Sequence, residues 1–261
     1  MTSSYIRQSF IHEALPSTAD LPCSDDIPVD NEDQNLLPNL LLLLLTHLWA
    51  DRFDWFFGVD MAVYHTTGIS PRVPAVPDAF LSLGVERVKG GKTRSSYAVW
   101  EEQGIAPIFA LEVVSQTPGG EYDEKRNLYA KLGVLYYIIY NPKYWRQGEH
   151  QRFEVYKLEA DSYQLQQGEP YWMPEIGLGI GRYETQLGNL SREILTWYDE
   201  QGTRHFSEAE QMQVRADQEQ RRADQEQGRA DRAESLWQQE RARREQLEKI
   251  LRAQGIDPDD L

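Results

Sequence analysis

The chain is 261 residues long and contains a single cysteine, Cys23. One cysteine excludes an internal disulfide and a cysteine-based zinc site, and it suits a reducing, cytoplasmic compartment. Basic charge is also scarce, with 27 Lys and Arg against 42 Asp and Glu for a net charge of -15. The segment 207–261 holds ten basic and fourteen acidic residues, so the remaining 17 and 28 belong to 1–206, a net of -11. The acidity therefore lies in the main body. It argues against strong non-specific nucleic-acid binding through a broad basic footprint, although a local basic strip or a bound divalent cation would offset it. Long apolar runs are missing too. Leu40–Leu45 is the longest leucine run, far short of the ~20 apolar residues a membrane-spanning helix needs. The opening Met-Thr-Ser-Ser-Tyr lacks the plan of a signal peptide. The five histidines, at 12, 47, 65, 150 and 205, form no metal-ligand spacing.

What is present is a substantial core. Hydrophobic residues make up 40% of the chain, with 7 Trp and 14 Tyr. The pattern predicts an irregular arm over 1–30, a domain over 31–206 and a helical tail over 207–261. Asp30-Asn31 is placed to cap a heavily buried helix over about 32–51. Strands are predicted at 55–64, 76–83, 96–100, 108–114, 134–140, 153–158 and 163–166, followed by further strand over 171–183 and 195–198. A basic loop, 86–95, carries Arg87, Lys89, Lys92 and Arg94. A helix over 119–132 ends at Gly133. The strand–helix–strand unit at 108–140 implies a parallel pair joined by a right-handed crossover, hence an α/β domain bordering on α+β.

The tail repeats Arg215-Ala-Asp-Gln-Glu-Gln at Arg222, and Arg229-Ala-Asp follows seven residues later. A seven-residue period suggests a coiled coil whose seam holds Ala209, Met212, Ala216, Ala223, Ala230, Ala233, Trp237, Leu247 and Leu251. Glu219, Glu226, Glu240 and Arg244 fall on the same seam. A solvated single helix is the competing reading, and a helical partner for 208–252 would supply what the seam lacks.

Charged residues inside strand-like runs carry the chemistry. Glu112 interrupts Phe109-Ala-Leu-Glu-Val-Val, and Asp78 stands between Pro77 and Ala79-Phe80-Leu81. Buried charges need partners or a metal. Mg²⁺ takes carboxylate oxygens and keeps several waters, so Asp78 and Glu112, with a backbone carbonyl such as that of Val114, make a ligand set. Lys125 falls on the inward stripe Tyr122, Lys125, Tyr129, Leu132 and needs an anion, for which Glu112 is the candidate. Each residue has a plainer alternative: Asp78 as a turn residue, Glu112 on an edge strand or beside an arginine, and Lys125 in a surface pair with Glu121. Gly177-x-Gly-x-Gly181 lacks a following helix and reads as a turn.

Val76-Pro-Asp78, Leu111-Glu-Val-Val-Ser115, Asp123-Glu-Lys-Arg-Asn-Leu-Tyr129 through Gly133-Val134, and Tyr137-Ile-Ile-Tyr-Asn-Pro142, in that order, resemble the Uma-two family of restriction endonucleases within the PD-(D/E)XK nuclease superfamily. The resemblance covers roughly 20–200. It implies a restriction-endonuclease-like αβββαβ core with a mixed central sheet, here followed by a long C-terminal helix. It also implies a Mg²⁺- or Mn²⁺-dependent DNA endonuclease in which Asp78, Glu112 and Lys125 are catalytic and Asp78, Glu112 and Val114 hold the metal. The superfamily pattern sets a lysine two residues after the glutamate, where this chain has Val114, so Lys125 on the next helix takes that place. Glu32 or Asp33 would be the acid that superfamily members add on the first helix. DNA is the implied partner, with a homodimer through the globular domain. The alternative is a nuclease fold without activity, serving as a binding or assembly module through its tail.

Overall fold

The computed structural model describes residues 15–22, 31–115, 120–147 and 150–253. Cys23, most of the N-terminal arm and the expected break at Pro118-Gly119 lie outside the described residues. The chain divides into two units, Met1–His205 and Phe206–Leu261.

In the first unit, α1 (Glu32–Leu48) starts where the side chain of Asn31 accepts hydrogen bonds from the Asp33 and Gln34 amides. Leu37, Leu41 and Leu45 form its buried stripe, each at most 1% exposed. The central sheet has six strands in the order β1 (Trp55–Val59), β3 (Ala79–Leu83), β5 (Phe109–Val113), β6 (Tyr136–Tyr140), β7 (Phe153–Glu159) and β8 (Ser162–Leu165). Only β5 and β6 run parallel; the other neighbours are antiparallel. Helix α2 (Glu124–Leu132) makes the β5–β6 crossover and stops at Gly133, whose φ of 87° is left-handed and whose N–H bonds back to Tyr129 and Ala130. A second sheet is built from β9 (Tyr171–Met173), β10 (Leu178–Leu187) and β11 (Leu190–Tyr198) in the order β11-β10-β9. The fold is thus the expected mixed α/β core, α1-β1-β3-β5-α2-β6, with β2 (Val63–Tyr64) and β4 (Tyr97–Ala98) as a small parallel insert.

Side-chain alternation divides the central sheet into two faces. Odd-numbered Phe109, Leu111 and Val155 of β5 and β7, with Tyr136 and Ile138 of β6, pack with α1 and the second sheet, and Trp197 donates its indole N–H to the Leu41 carbonyl across that layer. Even-numbered Phe80 and Ala110 of β3 and β5, with Tyr137 and Ile139 of β6, face the other way and pack with Tyr129 and Leu132 of α2.

Several expected elements differ in extent. The strand expected over 55–64 is broken, because Asp60 adopts a left-handed φ of 47° and turns the chain out of the sheet. The strand expected from Val76 begins at Ala79, and the helix expected from 119 begins at Glu124. Proline at 74 and 77 withholds ladder donors before β3. The described part of the arm is not free. Leu21 is buried, Pro16 and Pro22 carbonyls accept from Trp100 and Tyr64, and Thr18 bonds to Glu101. In the basic loop, Lys89 and Arg94 are held by Glu102, and Arg87 lies over the Trp55 ring.

The second unit is α3 (Glu208–Ala253), a 46-residue helix, about 69 Å long at 1.5 Å per residue. Ser207 and Glu210 form a reciprocal cap: the Ser207 amide donates to the Glu210 carboxylate, and the Glu210 amide donates to the Ser207 hydroxyl. The heptad repeat appears as Gln213–Asp217, Gln220–Asp224 and Gln227–Asp231 hydrogen bonds along one side. None of its residues is buried, and Met212, Trp237 and Leu247 of the expected seam are more than half exposed. Among the described residues no helix is long and apolar enough to cross a membrane.

Candidate active site

Strand pairing assembles the candidate site. The β3–β5 register opposes Ala79 to Leu111, so one step outward Asp78 adjoins Glu112, one strand spacing or about 5 Å away by backbone. The Val113 amide donates to Asp78 Oδ2 at 2.6 Å, which ties the aspartate to the end of β5. The same row continues on both sides. Asp60 donates its amide to the Asp78 carbonyl, Glu112 pairs with Ile139, and Ile139 pairs with Glu154. Asp78, Glu112 and Glu154 therefore occupy one line across the sheet on its α2 face.

Glu112 lies on a central strand, between β3 and β6, which removes the edge-strand alternative. It is 2% exposed. Both of its oxygens are engaged from α2: Lys125 Nζ donates to Oε2 at 2.8 Å and the Tyr129 hydroxyl donates to Oε1 at 2.6 Å. Lys125 thus points inward at Glu112. Burial pushes the Glu112 carboxyl up, while Lys125 and the Tyr129 hydrogen bond oppose that push without overcoming it. Lys125 is less enclosed, with about a third of its side chain exposed. Burial disfavours its charge, but the carboxylates of Glu112, Asp78 and Glu121 outweigh it and hold the ammonium above its usual range. Asp78 is raised to about 8, first by burial and then by the neighbouring Glu112, against the Val113 hydrogen bond and Lys125. In the metal-free protein at neutral pH, Asp78 is then protonated. Several buried carboxylates share one nearby lysine.

Val114 follows β5, and its N–H extends the ladder to the Tyr140 carbonyl while its side chain joins the apolar cluster of the α2 face. Glu32 and Asp33 do not join the site. They sit on α1, which packs on the opposite face of the sheet, and pair with Arg192 at 2.6 Å each, Asp33 also with Lys143. Among the described residues no group of three or more His, Cys, Asp or Glu is arranged to hold a metal ion.

Sequence reasoning gave no site role to Tyr129, Glu154 or His150, and it weighed Glu121 mainly as a charge at the start of the helix. Tyr129 was visible only as part of the apolar stripe. Glu121, 4% exposed, precedes α2 and bonds through its carbonyl to the Tyr137 hydroxyl. Glu154, 3% exposed, accepts from the Tyr156 hydroxyl and the Gln151 amide, with His150 Nδ1 at 3.5 Å. The His150 ring stacks on Tyr122 at 3.6 Å, which in turn bonds Asn141 at the end of β6. An acidic residue at an inward strand position was the available signal for Glu154, as it was for Glu112.

Residues 27–181 match the family model of Uma2, described as "Putative restriction endonuclease". This span is more than half of the chain, which belongs to that family. No curated protein and no solved structure matches it.

Proposed function

We propose that this Uma2 member is a Mg²⁺-dependent DNA endonuclease that hydrolyses phosphodiester bonds, with Mn²⁺ as an alternative ion, in the cytoplasm. The observation that carries the proposal is the buried pair Asp78–Glu112 at adjoining strand ends, with Lys125 donating into it. The residues suit a hard divalent cation. Burial first and the neighbouring Glu112 second raise Asp78, and a cation held between the two groups would offset both effects. With only two protein carboxylates, the set suits an ion that keeps several waters rather than one caged by protein. Asp78 and Glu112 would hold it, with the Val114 carbonyl as a third donor at the end of β5. A bound cation would supply Lewis acidity toward a phosphoryl oxygen and lower the pKa of a coordinated water.

The protein's own groups do the rest. Asp78 Oδ2 is held by the Val113 amide, a bond that still leaves lone pairs on the carboxyl group for a cation. Lys125 remains cationic through the working pH range. One of its three N–H groups is used by Glu112, which leaves two for a phosphate oxygen or the attacking water.

A second reading, a nuclease fold acting as a binding or assembly module through α3, is favoured by the net charge of -11 on 1–206 and by Val114 at the usual lysine position. A plasmid-nicking assay in Mg²⁺ and Mn²⁺ separates the two. The enzyme reading expects metal-dependent nicking by the wild type that Glu112→Gln and Asp78→Asn lose while staying folded. Absence of nicking by the wild type in both metals would leave the module reading.

A further inference from the structure

We infer that Tyr129 is a positioning residue, which together with Lys125 clamps the Glu112 carboxylate in one orientation. The two residues stand four apart on α2, so they lie one above the other on the same helix face. Each takes a different oxygen of Glu112: Lys125 holds Oε2 at 2.8 Å and Tyr129 holds Oε1 at 2.6 Å. A carboxylate gripped at one oxygen still turns about its terminal torsion, which is broad and only two-fold. Gripped at both, from a single rigid helix, it does not. The tyrosine is itself fixed, being 2% exposed with its ring against Tyr137 at 5.1 Å between centroids. Each carboxylate oxygen has about two lone pairs, so one per oxygen remains for an incoming cation after both donors have bonded.

The clamp also answers the displacement of the lysine. With Val114 where the superfamily pattern has lysine, the positive group comes from α2, and α2 brings the second donor one turn later. The significance for metal binding rests on the nuclease reading above; the clamp itself does not.

The test uses the full chain as wild type, Tyr129→Phe and Tyr163→Phe. Tyr163→Phe is the control, because Tyr163 gives up a hydroxyl bond to the Val134 carbonyl without touching Glu112. In metal-free protein the ¹³Cδ resonance of Glu112 should shift in Tyr129→Phe and stay in place in Tyr163→Phe. Mn²⁺ affinity by titration calorimetry should fall by about 10- to 100-fold in Tyr129→Phe alone, the usual consequence of removing a group that orients a ligand. An unmoved Glu112 resonance in Tyr129→Phe overturns the clamp. Equal affinity in Tyr129→Phe and wild type overturns its importance for the metal. A wild type that binds no Mn²⁺ sinks the nuclease reading instead, and the carbon resonance still decides the clamp.

Discussion

The two faces of the central sheet are made by the same strands and differ by one residue of register. On the α1 face, Phe109, Leu111, Tyr136 and Ile138 are fully buried and pack with the leucines of α1. On the α2 face, equally buried positions carry Asp78, Glu112 and Glu154, supplied with donors by Lys125, Tyr129 and Tyr156. Burial is therefore not what separates core from site here. The α1 face gains from every apolar group it removes from water. The α2 face holds carboxyl groups whose charge burial disfavours, and satisfies them one hydrogen bond at a time. Strain of that kind is expected where a protein uses its charges.

If this division is right, substitutions on the two faces should fail differently. The largest effect should come from Glu112→Gln, which keeps shape and burial but removes the charge. Nicking should fall by at least about a thousandfold, the several kcal/mol that a metal-centred step supplies, with the far-ultraviolet circular dichroism unchanged. Retained nicking would move the chemistry off this face. Next, Phe109→Ala on the α1 face should cost about 3–5 kcal/mol in urea unfolding, because Phe109 is fully buried against Trp197. A loss below ~1 kcal/mol would mean that this face is not the main store of stability.

Asp78→Asn sharpens the contrast through pH. The folded-state pKa of Asp78 is about 8, above the unfolded value of about 3.9. From about pH 4 upward the unfolded chain ionises this group while the folded protein keeps it protonated, so stability is lost progressively until about pH 8. The asparagine variant should match the metal-free wild type at pH 4 and exceed it by roughly 2–4 kcal/mol at pH 8. Equal or lower stability of the variant at pH 8 would show that Asp78 is structural. The smallest effect should follow deletion of 208–261. No residue of α3 is buried, so the stability of the remaining unit should change by less than about 1 kcal/mol. Self-association of the full chain, read by sedimentation, should be weak, since Glu219, Glu226 and Glu240 interrupt the seam. Failure of the truncated protein to fold would show that the helix belongs to the core.

Much of this was legible in the residues. Asp78 and Glu112 stood out as acids within apolar runs, and Lys125 because it broke a helical stripe; none of these signals needed tertiary information. Asn31, Gly133 and the heptads of α3 were legible for the same reason, since caps and periods are local. Glu154 carried a similar signal in Phe153-Glu-Val-Tyr156 but had no motif to draw notice to it. Glu32 and Asp33 misled, because position on the first helix does not say which face of the sheet that helix covers.

What the sequence determined by itself was the kind of each element and the few places where charge lies in a strand, because propensity, capping and alternation act within a few residues. Only the tertiary structure decided which charges meet. The alignment of Asp78 with Glu112 follows from β3–β5 register, the clamp of Lys125 and Tyr129 from how α2 lies on β5, and the exclusion of Glu32 and Asp33 from α1 taking the other face. Register and packing are settled by the burial of whole faces, a property of all strands together that no single stretch of sequence contains.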